Sequence, residues 1–269
     1  MSEMKSAVGA GMDRSGDDLC VENSVREFKI WADVLNYGKK ILKNAGIVEA
    51  DLDAWYLFGQ IFGISRAQYF LCARENIAGS TAQKMAAQEQ TGNSLESKNA
   101  LDCVELWLKE KLSAYENTLE KRASRIPLQQ ILGQQEFMGL TFFVNEHVLI
   151  PRQDTEVLVE EALKYKKPGM RVLDMCTGSG CILLSILKNL EQGTGDGIDI
   201  SEQALEVARR NAKRMGLEAE ATFVLSDLFE KVQGPYDMIV SNPPYIETEE
   251  IEHLMPEVRD HEPRLALDG

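Results

Sequence analysis

Apolar residues recur at helical spacing in the first half of the chain. From residue 25 to residue 76 they lie three or four positions apart, in groups that break at Gly46 and Gly63. The two groups contain Val34, Leu35, Ile41 and Leu42, and then Trp55, Leu57, Phe58, Ile61 and Phe62. A later stripe contains Leu101, Val104, Leu108, Leu112, Tyr115 and Leu119. The spacing predicts a small bundle of short helices over residues 25–124.

Two polar segments accompany this predicted bundle. Residues 1–24 are small, polar and rich in glycine, and they offer nothing to bury, so we expect a disordered tail. Residues 78–98, AGSTAQKMAAQEQTGNSLESK, are polar and of low complexity. We expect this second segment to be a surface insertion within the helical domain.

The pattern changes after residue 124. Through residues 125–150 the apolar runs are short and end at Gly or Asn-Glu, which predicts a linker and a β-hairpin. Strand-like runs then alternate with helical stripes, one of which lies between Ser201 as N-cap and Gly216. The predicted strands are residues 170–175, 195–200, 221–227 and 236–242, and the predicted helices are residues 180–190 and 201–216. This alternation predicts an α/β, Rossmann-like parallel sheet over residues 151–269.

Charge and hydropathy limit the classes of partner. The 43 acidic residues outnumber the 29 basic ones, which gives a net charge of -14. Nucleic-acid binders neutralise phosphates with Lys and Arg, so this charge disfavours direct binding of nucleic acid and favours a neutral or basic protein partner. No apolar run approaches the roughly 20 residues that cross a bilayer, and the N-terminus lacks an apolar signal core. We therefore expect a cytoplasmic protein without a membrane partner.

Cysteine and histidine usage gives no sign of a metal centre. The five cysteines are odd in number and include no C-x-x-C pair, which favours buried, reduced thiols. His147, His253 and His261 lack metal-like spacing with Cys or acidic residues. We expect these histidines to be solvated or to cap helices, and we expect no metal cofactor.

A glycine-containing turn follows the first predicted strand of the Rossmann-like domain. Residues 176–181, CTGSGC, lead from that strand into a helix, where backbone N–H groups can surround a ligand. Leu183 stands where a dinucleotide fingerprint would have its third glycine, which weighs against NAD. Asp199 ends the second strand, where a carboxylate can accept hydrogen bonds from both ribose hydroxyls. The pattern favours S-adenosylmethionine as cofactor, and a purely structural strand–helix turn is the alternative.

Asp227 and Leu228 follow the third predicted strand of this domain. The Asp227 carboxylate can accept from an adenine amine, and Leu228 can cover the adenine ring. A plain helix or turn cap is the other interpretation of Asp227. Earlier in the chain, the segment PRQDTE favours Asp154 as the N-cap of a helix, with Arg152 lining the pocket as the alternative.

The fourth predicted strand ends in the sequence SNPPYI. Asn242 falls on the edge of the sheet where open α/β folds bind ligands. Pro243 and Pro244 restrict the backbone, so the Asn242 side-chain oxygen and the Pro243 carbonyl are held as two fixed acceptors. Two such acceptors match the hydrogens of an NH2 group, and they stabilise the positive charge that develops on its nitrogen during methylation. Tyr245 supplies a flat face for stacking, and an ordinary Pro-Pro turn is the structural alternative.

Taken together, these motifs resemble the HemK/PrmC family, the release factor glutamine N5-methyltransferases, from about residue 28 onward. The matching segments are PLQQILG (127–133), EFMGLTFFV (136–144), LIPRQDTE (149–156), VLDMCTGSGCI (172–182), DIS (199–201), SNPPYI (241–246) and EPRLALDG (262–269). The resemblance implies a helical domain that recognises class-I peptide chain release factors, a hairpin linker, and an S-adenosylmethionine-dependent domain. That domain would methylate the glutamine of the factor's Gly-Gly-Gln motif, and the enzyme would be monomeric if complete.

Site roles carry over from the resemblance by position. Cofactor contacts fall on Cys176, Thr177, Gly178, Ser179, Gly180, Asp199, Asp227, Leu228 and Asn242. Contacts to the substrate amide, and hence the catalytic roles, fall on Asn242, Pro243, Pro244 and Tyr245.

The sequence departs from the family pattern in two ways. Cys176 stands at the first glycine position, where we expect it to be tolerated if its φ is negative. The chain also ends at Gly269 after four of the seven expected strands, so we expect a truncated sheet, an apolar edge at YDMIVS, and low stability or self-association. The acidic run 257–262 is expected to be a solvated face. An adenine-N6 DNA or RNA methyltransferase, or an inactive module that binds cofactor or partner, are the alternative functions.

Overall fold

The helical part of the molecule forms around a cluster of aromatic side chains. In the computed structural model, which describes residues 28–88 and 97–269, the first helices are α1 (Trp31–Asn44), α2 (Ala50–Phe62), α3 (Arg66–Cys72), α4 (Ile77–Gln88) and α5 (Ser97–Ala123). The centre of the cluster contains Trp31, Phe58, Phe62 and Tyr115, all buried and connected by ring contacts. The predicted helical bundle is confirmed, since the apolar stripes on α1, α2 and α5 meet there.

The segment predicted as a surface insertion is instead partly helical. Helix α4 covers Ile77–Gln88, and Ser80 and Thr81 are buried against the bundle. The Ser80 hydroxyl accepts a hydrogen bond of 2.9 Å from the Trp31 indole. A polar residue thus satisfies the buried N–H group of the core tryptophan. A count of apolar residues misses this kind of packing. Residues 89–96 of the same segment, and the predicted tail at residues 1–24, lie outside the described residues.

A short helix and a hairpin join the bundle to the second half. Helix α6 (Leu128–Leu132) leads into β1 (Gln134–Phe137), which pairs antiparallel with β2 (Leu140–Phe143) as predicted. The turn residues Met138 and Gly139 both have positive φ, as a two-residue hairpin turn requires. Phe137 and Phe142 are buried, and they pack into the core of the following α/β layer.

The second half contains a four-stranded parallel sheet. The strands are β3 (Arg171–Met175), β4 (Thr194–Asp199), β5 (Ala221–Leu225) and β6 (Met238–Ser241), in the spatial order β5-β4-β3-β6. The helices between them are α8 (Cys181–Lys188) and α9 (Glu202–Met215), and α7 (Gln153–Leu163) precedes β3. All four predicted strands and both predicted helices are present. The Ser201 side chain caps α9 through the Ala204 amide, and Gly216 ends the helix with a φ of 67°.

The strand order creates a crevice at one edge of the sheet. The chain leaves β3 toward β4 and β5, and then returns to the other side of β3 as β6. Ligands bind at such a switch point, beyond the carboxyl ends of the strands. After β6 the chain forms α10 (Thr248–Ile251), α11 (Pro256–His261) and a 3-10 turn (Arg264–Ala266), and the residues of this turn lie at the same edge. Within the described residues β6 is an edge strand, because it pairs with β3 on one side only. Its Ile239 side chain is exposed, as expected for an apolar edge at YDMIVS.

Two smaller expectations need correction. Helix α7 has Arg152 at its N-cap, with no side-chain capping bond, and Asp154 lies in its first turn instead of capping it. Cys72 and Cys181 are buried as expected, but Cys103 is exposed on α5. Within the described residues no helix is long and apolar enough to cross a membrane.

Candidate active site

A cavity lies beyond the carboxyl ends of β3, β4 and β6, at the switch point of the sheet. Nine of the residues predicted for the site line it: Cys176, Thr177, Gly178, Ser179, Asp199, Asp227, Leu228, Asn242 and Pro244. Gly180, Pro243 and Tyr245 lie next to these residues in sequence but are outside the lining. The fold therefore gathers residues from four separate loops, as the motif order along the chain suggested.

The glycine turn is held in an unusual backbone conformation. Cys176, Gly178 and Gly180 have φ values of 59°, 54° and 77°, all in the left-handed region. The tolerance expected for Cys176 rested on a negative φ, and that premise is wrong. A residue with a side chain costs about 1–2 kcal/mol in this conformation. The loop keeps its shape because the Thr177 amide donates to the Ile198 carbonyl at 2.9 Å.

Asp199 connects this turn to the end of β4. Its Oδ2 accepts from the Gly178 amide and its Oδ1 accepts from the Ser201 amide, both at 2.9 Å. Each carboxylate oxygen has a second lone pair, so the group can still accept two hydroxyl donors from the cavity. A Cβ built on Gly178 meets nothing within 4 Å, so the loop presents open space beside this carboxylate. These features suit a ribose with two neighbouring hydroxyls.

Gly180 has a packing role. It is the N-cap of α8, and a Cβ at this position would lie 3.2 Å from side-chain atoms of both Leu184 and Ala208. The glycine therefore allows the loop to approach α9, and the Asn211 side chain on that helix secures the contact. Asn211 is fully buried, and its Nδ2 donates to the Ser179 carbonyl at 2.9 Å and to the Phe143 carbonyl at 3.0 Å. One buried amide thus joins the glycine turn to the hairpin.

Asp174 lies directly under the same loop and is fully buried. Its Oδ2 accepts from the Thr177 hydroxyl at 2.7 Å and from the Leu183 amide at 3.3 Å. Its Oδ1 has no hydrogen-bond partner among the residues that the structure describes. Burial raises the pKa of this carboxyl group to about 7, against the lowering effect of the two hydrogen bonds, and the negative charge of Asp199 raises it further.

Asp227 and Leu228 lie on the exposed rim of the cavity, two and three residues after β5. Leu228 has a φ of 42°, and its carbonyl accepts from the Ser226 hydroxyl at 3.2 Å. The Ser226 hydroxyl also accepts from the Lys231 amide at 2.9 Å, which closes the turn. The side chain that holds this turn is Ser226, and the exposed Asp227 lines the cavity, where its carboxylate could accept from a ring amine.

Asn242 lies where β6 leaves the sheet. The preceding Ser241 hydroxyl donates to the Met175 carbonyl at 3.0 Å, which fixes β6 against β3 at this edge. The Asn242 Nδ2 donates to the Thr155 hydroxyl at 3.5 Å, so the amide oxygen remains as the acceptor. Pro244 lines the cavity, whereas the Tyr245 side chain is 77% exposed. A Tyr245 ring in this position can meet a partner that approaches from solvent.

Some cavity residues were absent from the sequence prediction. From the segment before α7 they are His147, Val148, Leu149 and Pro151, from the first turn of α7 the residue is Thr155, and from the segment after α11 they are Pro263, Leu265 and Ala266. Residues 149–156 and 262–269 resemble family segments, whereas His147 and Val148 lie outside them, and none of these residues has a periodicity that places it on the cavity. Arg152 also lines the cavity, as the alternative interpretation of PRQDTE proposed.

The acidic run 257–262 is only in part the solvated face that was expected, since Asp260 is exposed but Glu257 and Glu262 are covered by basic partners. The Glu257 carboxylate is held by Arg122 at 3.1 Å and Arg125 at 3.2 Å, both from the C-terminal end of the helical bundle. The Glu262 side chain is 1% exposed and pairs with Arg152 at 2.5 Å. Burial raises the pKa of Glu262, against the lowering effect of the Arg152 guanidinium. These two carboxylates can lie away from solvent because arginines from distant parts of the chain neutralise them.

The three histidines lie in different surroundings. His261 is half-buried, and its Nε2 lies 3.1 Å from the Ser124 carbonyl, which places it at the junction between α5 and α11. His147 and His253 are exposed. No group of three potential metal-ligating side chains occurs in residues 28–88 or 97–269.

Comparison with known proteins places this site in a family. Residues 152–258 match the model described as "Methyltransferase small domain", and residues 33–88 match the "PrmC N-terminal domain". A release factor glutamine methyltransferase of Agrobacterium fabrum is 36% identical over 237 residues, which cover 86% of this chain and 72% of that protein. The chain belongs to the release factor glutamine methyltransferase family.

Two further members show how much of the family's length the chain matches. The Geobacter sulfurreducens release factor glutamine methyltransferase is 50% identical over 161 residues, which cover 60% of this chain and 56% of that protein. The Bradyrhizobium diazoefficiens member is 36% identical over 233 residues, which cover 85% of this chain and 68% of that protein. The chain thus spans between about half and three quarters of the length of these relatives.

Proposed function

We propose that the chain transfers a methyl group from S-adenosylmethionine to the side-chain amide nitrogen of the glutamine in the Gly-Gly-Gln motif of class-I peptide chain release factors. The observation that carries the proposal is the position of Asn242 and Pro244 on the same cavity as Asp199 and the glycine turn, in a chain of this family. The function implies a cytoplasmic enzyme of translation termination whose partner is a protein.

The residues at the glycine turn fit the cofactor. Asp199 has acceptor capacity for two ribose hydroxyls, and Gly178 leaves the space beside it open. Asp227 and Leu228 offer an acceptor and an apolar surface for the adenine on the rim. The bound cofactor would supply an electrophilic sulfonium methyl group. The glutamine amide nitrogen would bond to this methyl group as the methyl–sulfur bond breaks, and it would then lose one proton to water. S-adenosylhomocysteine would be the other product, and the protein would supply the orientation.

The Asn242–Tyr245 segment would hold the substrate amide. The lone pair of an amide nitrogen is delocalised, so the nitrogen is a poor nucleophile until its hydrogens are fixed. The Asn242 amide oxygen and the Pro243 carbonyl would accept these two hydrogens and would stabilise the positive charge that develops on nitrogen. Thr155 would orient the Asn242 amide through its hydroxyl. Tyr245, exposed at the mouth of the cavity, would stack on the planar amide of the incoming glutamine.

Methylation of the adenine N6 amine is the second candidate, because the same acceptors would bind an aromatic NH2 group after base flipping. The net charge of -14 opposes this candidate, since a nucleic acid would meet electrostatic repulsion. A module that binds cofactor or partner without turnover is the non-enzymatic candidate.

The deciding experiment supplies labelled S-adenosylmethionine together with one acceptor at a time. The acceptors are a class-I release factor, the same factor with its Gly-Gly-Gln glutamine replaced by alanine, and an adenine-containing oligonucleotide. We expect label on the first acceptor only. Label on the oligonucleotide alone would support the second candidate, and cofactor binding without label on any acceptor would support the non-enzymatic one.

A further inference from the structure

The segment after α11 folds back onto the Asn242–Tyr245 loop. We call residues 262–269 the strap. The Ile246 amide donates to the Leu267 carbonyl and the Gly269 amide donates to the Ile246 carbonyl, both at 3.0 Å. These two bonds form a short parallel bridge between Ile246 and Asp268. The strap is therefore hydrogen-bonded to the residue that directly follows Tyr245.

Gly269 touches the backbone of the same loop. A Cβ built on this glycine would lie 2.7 Å from the Tyr245 Cα, 2.8 Å from the Pro244 carbonyl oxygen and 2.9 Å from the Tyr245 nitrogen. All three atoms belong to the main chain, so no side-chain rotation could relieve the contact. A side chain at residue 269 would have to displace Pro244 and Tyr245, or be displaced by them.

The other end of the strap is anchored beside the cavity. The buried Glu262 carboxylate accepts from the Ile150 amide at 3.2 Å and pairs with Arg152, which itself lines the cavity. Between the two ends, Pro263, Leu265 and Ala266 lie on the cavity wall, and Leu267 is buried. The strap thus runs along the cavity wall from Arg152, at the start of α7, to the main chain of Pro244.

We propose that the strap positions the Asn242–Tyr245 loop for methyl transfer, with Gly269 and Glu262 as positioning residues. Because it has no Cβ, Gly269 lets the strap pack directly against the backbone of Pro244 and Tyr245. The bonds of Glu262 to Ile150 and Arg152 hold the other end of the strap beside the cavity. Neither residue carries the acceptors that bind the substrate amide. The inference rests on the proposed function, because it concerns the geometry of that reaction.

The test compares Gly269→Ala with Gly79→Ala. Gly79 lies on α4, where a Cβ would have only Asn76 Oδ1 nearby, at 3.9 Å, so this control adds the same methyl group without a clash. A displacement of about 1 Å at a reacting group costs roughly 100-fold in rate. We expect kcat for Gly269→Ala to fall by roughly 10- to 100-fold. The affinity for S-adenosylhomocysteine and the melting temperature should match those of the control. Hydrogen exchange of the Ile246 amide should become faster.

The possible outcomes distinguish a failure of the strap inference from a failure of the proposed function. Unchanged kcat and unchanged Ile246 exchange in Gly269→Ala would overturn the inference, as would a loss of activity that follows a loss of melting temperature. If the parent chain methylates no release factor, the proposed function fails, and the exchange of Ile246 alone decides about the strap. Glu262→Gln provides a second test, since it keeps the shape of the side chain but loses its charge. It should lower kcat while S-adenosylhomocysteine affinity is kept, and an unchanged kcat would remove Glu262 from the inference.

Discussion

Replacing Asp174 with asparagine should change how stability depends on pH. Asp174 is fully buried beneath the glycine turn, and burial raises its pKa from 3.8 to about 7 in the folded protein. The folded state therefore holds a proton that the unfolded state has released at pH values between 3.8 and about 7. Because the folded pKa is the higher one, the contribution of Asp174 to stability is fully present below the unfolded pKa and is lost as the pH rises through the folded pKa.

The size of the effect follows from this shift. In the interval between the two pKa values, the free energy of unfolding should fall by about 1.4 kcal/mol for each pH unit. The full shift corresponds to about 4 kcal/mol, reached a little above pH 7. Asparagine can keep the hydrogen bonds from Thr177 and Leu183, but its NH2 group takes the place of the unpartnered Oδ1. An unsatisfied buried amide costs about 1–3 kcal/mol, and this cost does not depend on pH.

Urea denaturation at several pH values between about 5 and 8 measures this difference directly. The free energy of unfolding of the parent minus that of Asp174→Asn should decrease as the pH rises, because other titrating groups cancel in the subtraction. Asp199→Asn is an informative companion, since removal of that negative charge should lower the Asp174 pKa and shift the decrease to lower pH. A difference that stays constant across this range would refute the assignment of a raised pKa to Asp174.

Three further predictions concern rate, backbone strain and a buried ion pair. Asn242→Ala should lower the single-turnover rate by roughly 100-fold at saturating cofactor, by analogy with a lost oxyanion donor at about 3 kcal/mol, whereas Asp199→Ala should act mainly on cofactor affinity. Near-full turnover in Asn242→Ala, with turnover abolished at saturation in Asp199→Ala, would reverse these roles. Cys176→Gly should raise the free energy of unfolding by about 0.5–1 kcal/mol, since relief of left-handed strain exceeds the entropy cost of glycine, and urea titration would show a decrease if this reasoning fails. Arg122→Met should cost about 3–5 kcal/mol because it leaves the buried Asp53 carboxylate without its 2.7 Å partner. A second change, Asp53→Leu, should restore much of this loss in thermal unfolding, and a double variant as unstable as the single one would contradict the explanation.

Local sequence signals were sufficient for the elements that carry the cofactor cavity. The alternation of strands and helices after residue 151 predicted β3 to β6, and the Ser201 cap and Gly216 predicted the limits of α9. These features depend on residues close together in the chain. The resemblance to a known family then connected the separate motifs to one edge of the sheet.

The parts that could not be predicted depend on contacts between distant residues. The charge of Glu262 suggested solvent, but its partners Ile150 and Arg152 lie more than a hundred positions earlier. Ser80 looked like part of a polar insertion, yet it accepts a bond from Trp31 in the core. The positive φ of Cys176 follows from the path of the loop between β3 and α8, and the residue type alone gives no sign of it.

The most direct test of the proposed function is mass mapping of the methylated product. The chain would be incubated with S-adenosylmethionine and an intact class-I release factor, and the factor would then be digested and its peptides fragmented. We expect one added methyl group, on the side-chain nitrogen of the glutamine in the Gly-Gly-Gln motif. A methyl group on another residue of the factor, or on adenine in a parallel reaction with none on this glutamine, would contradict it.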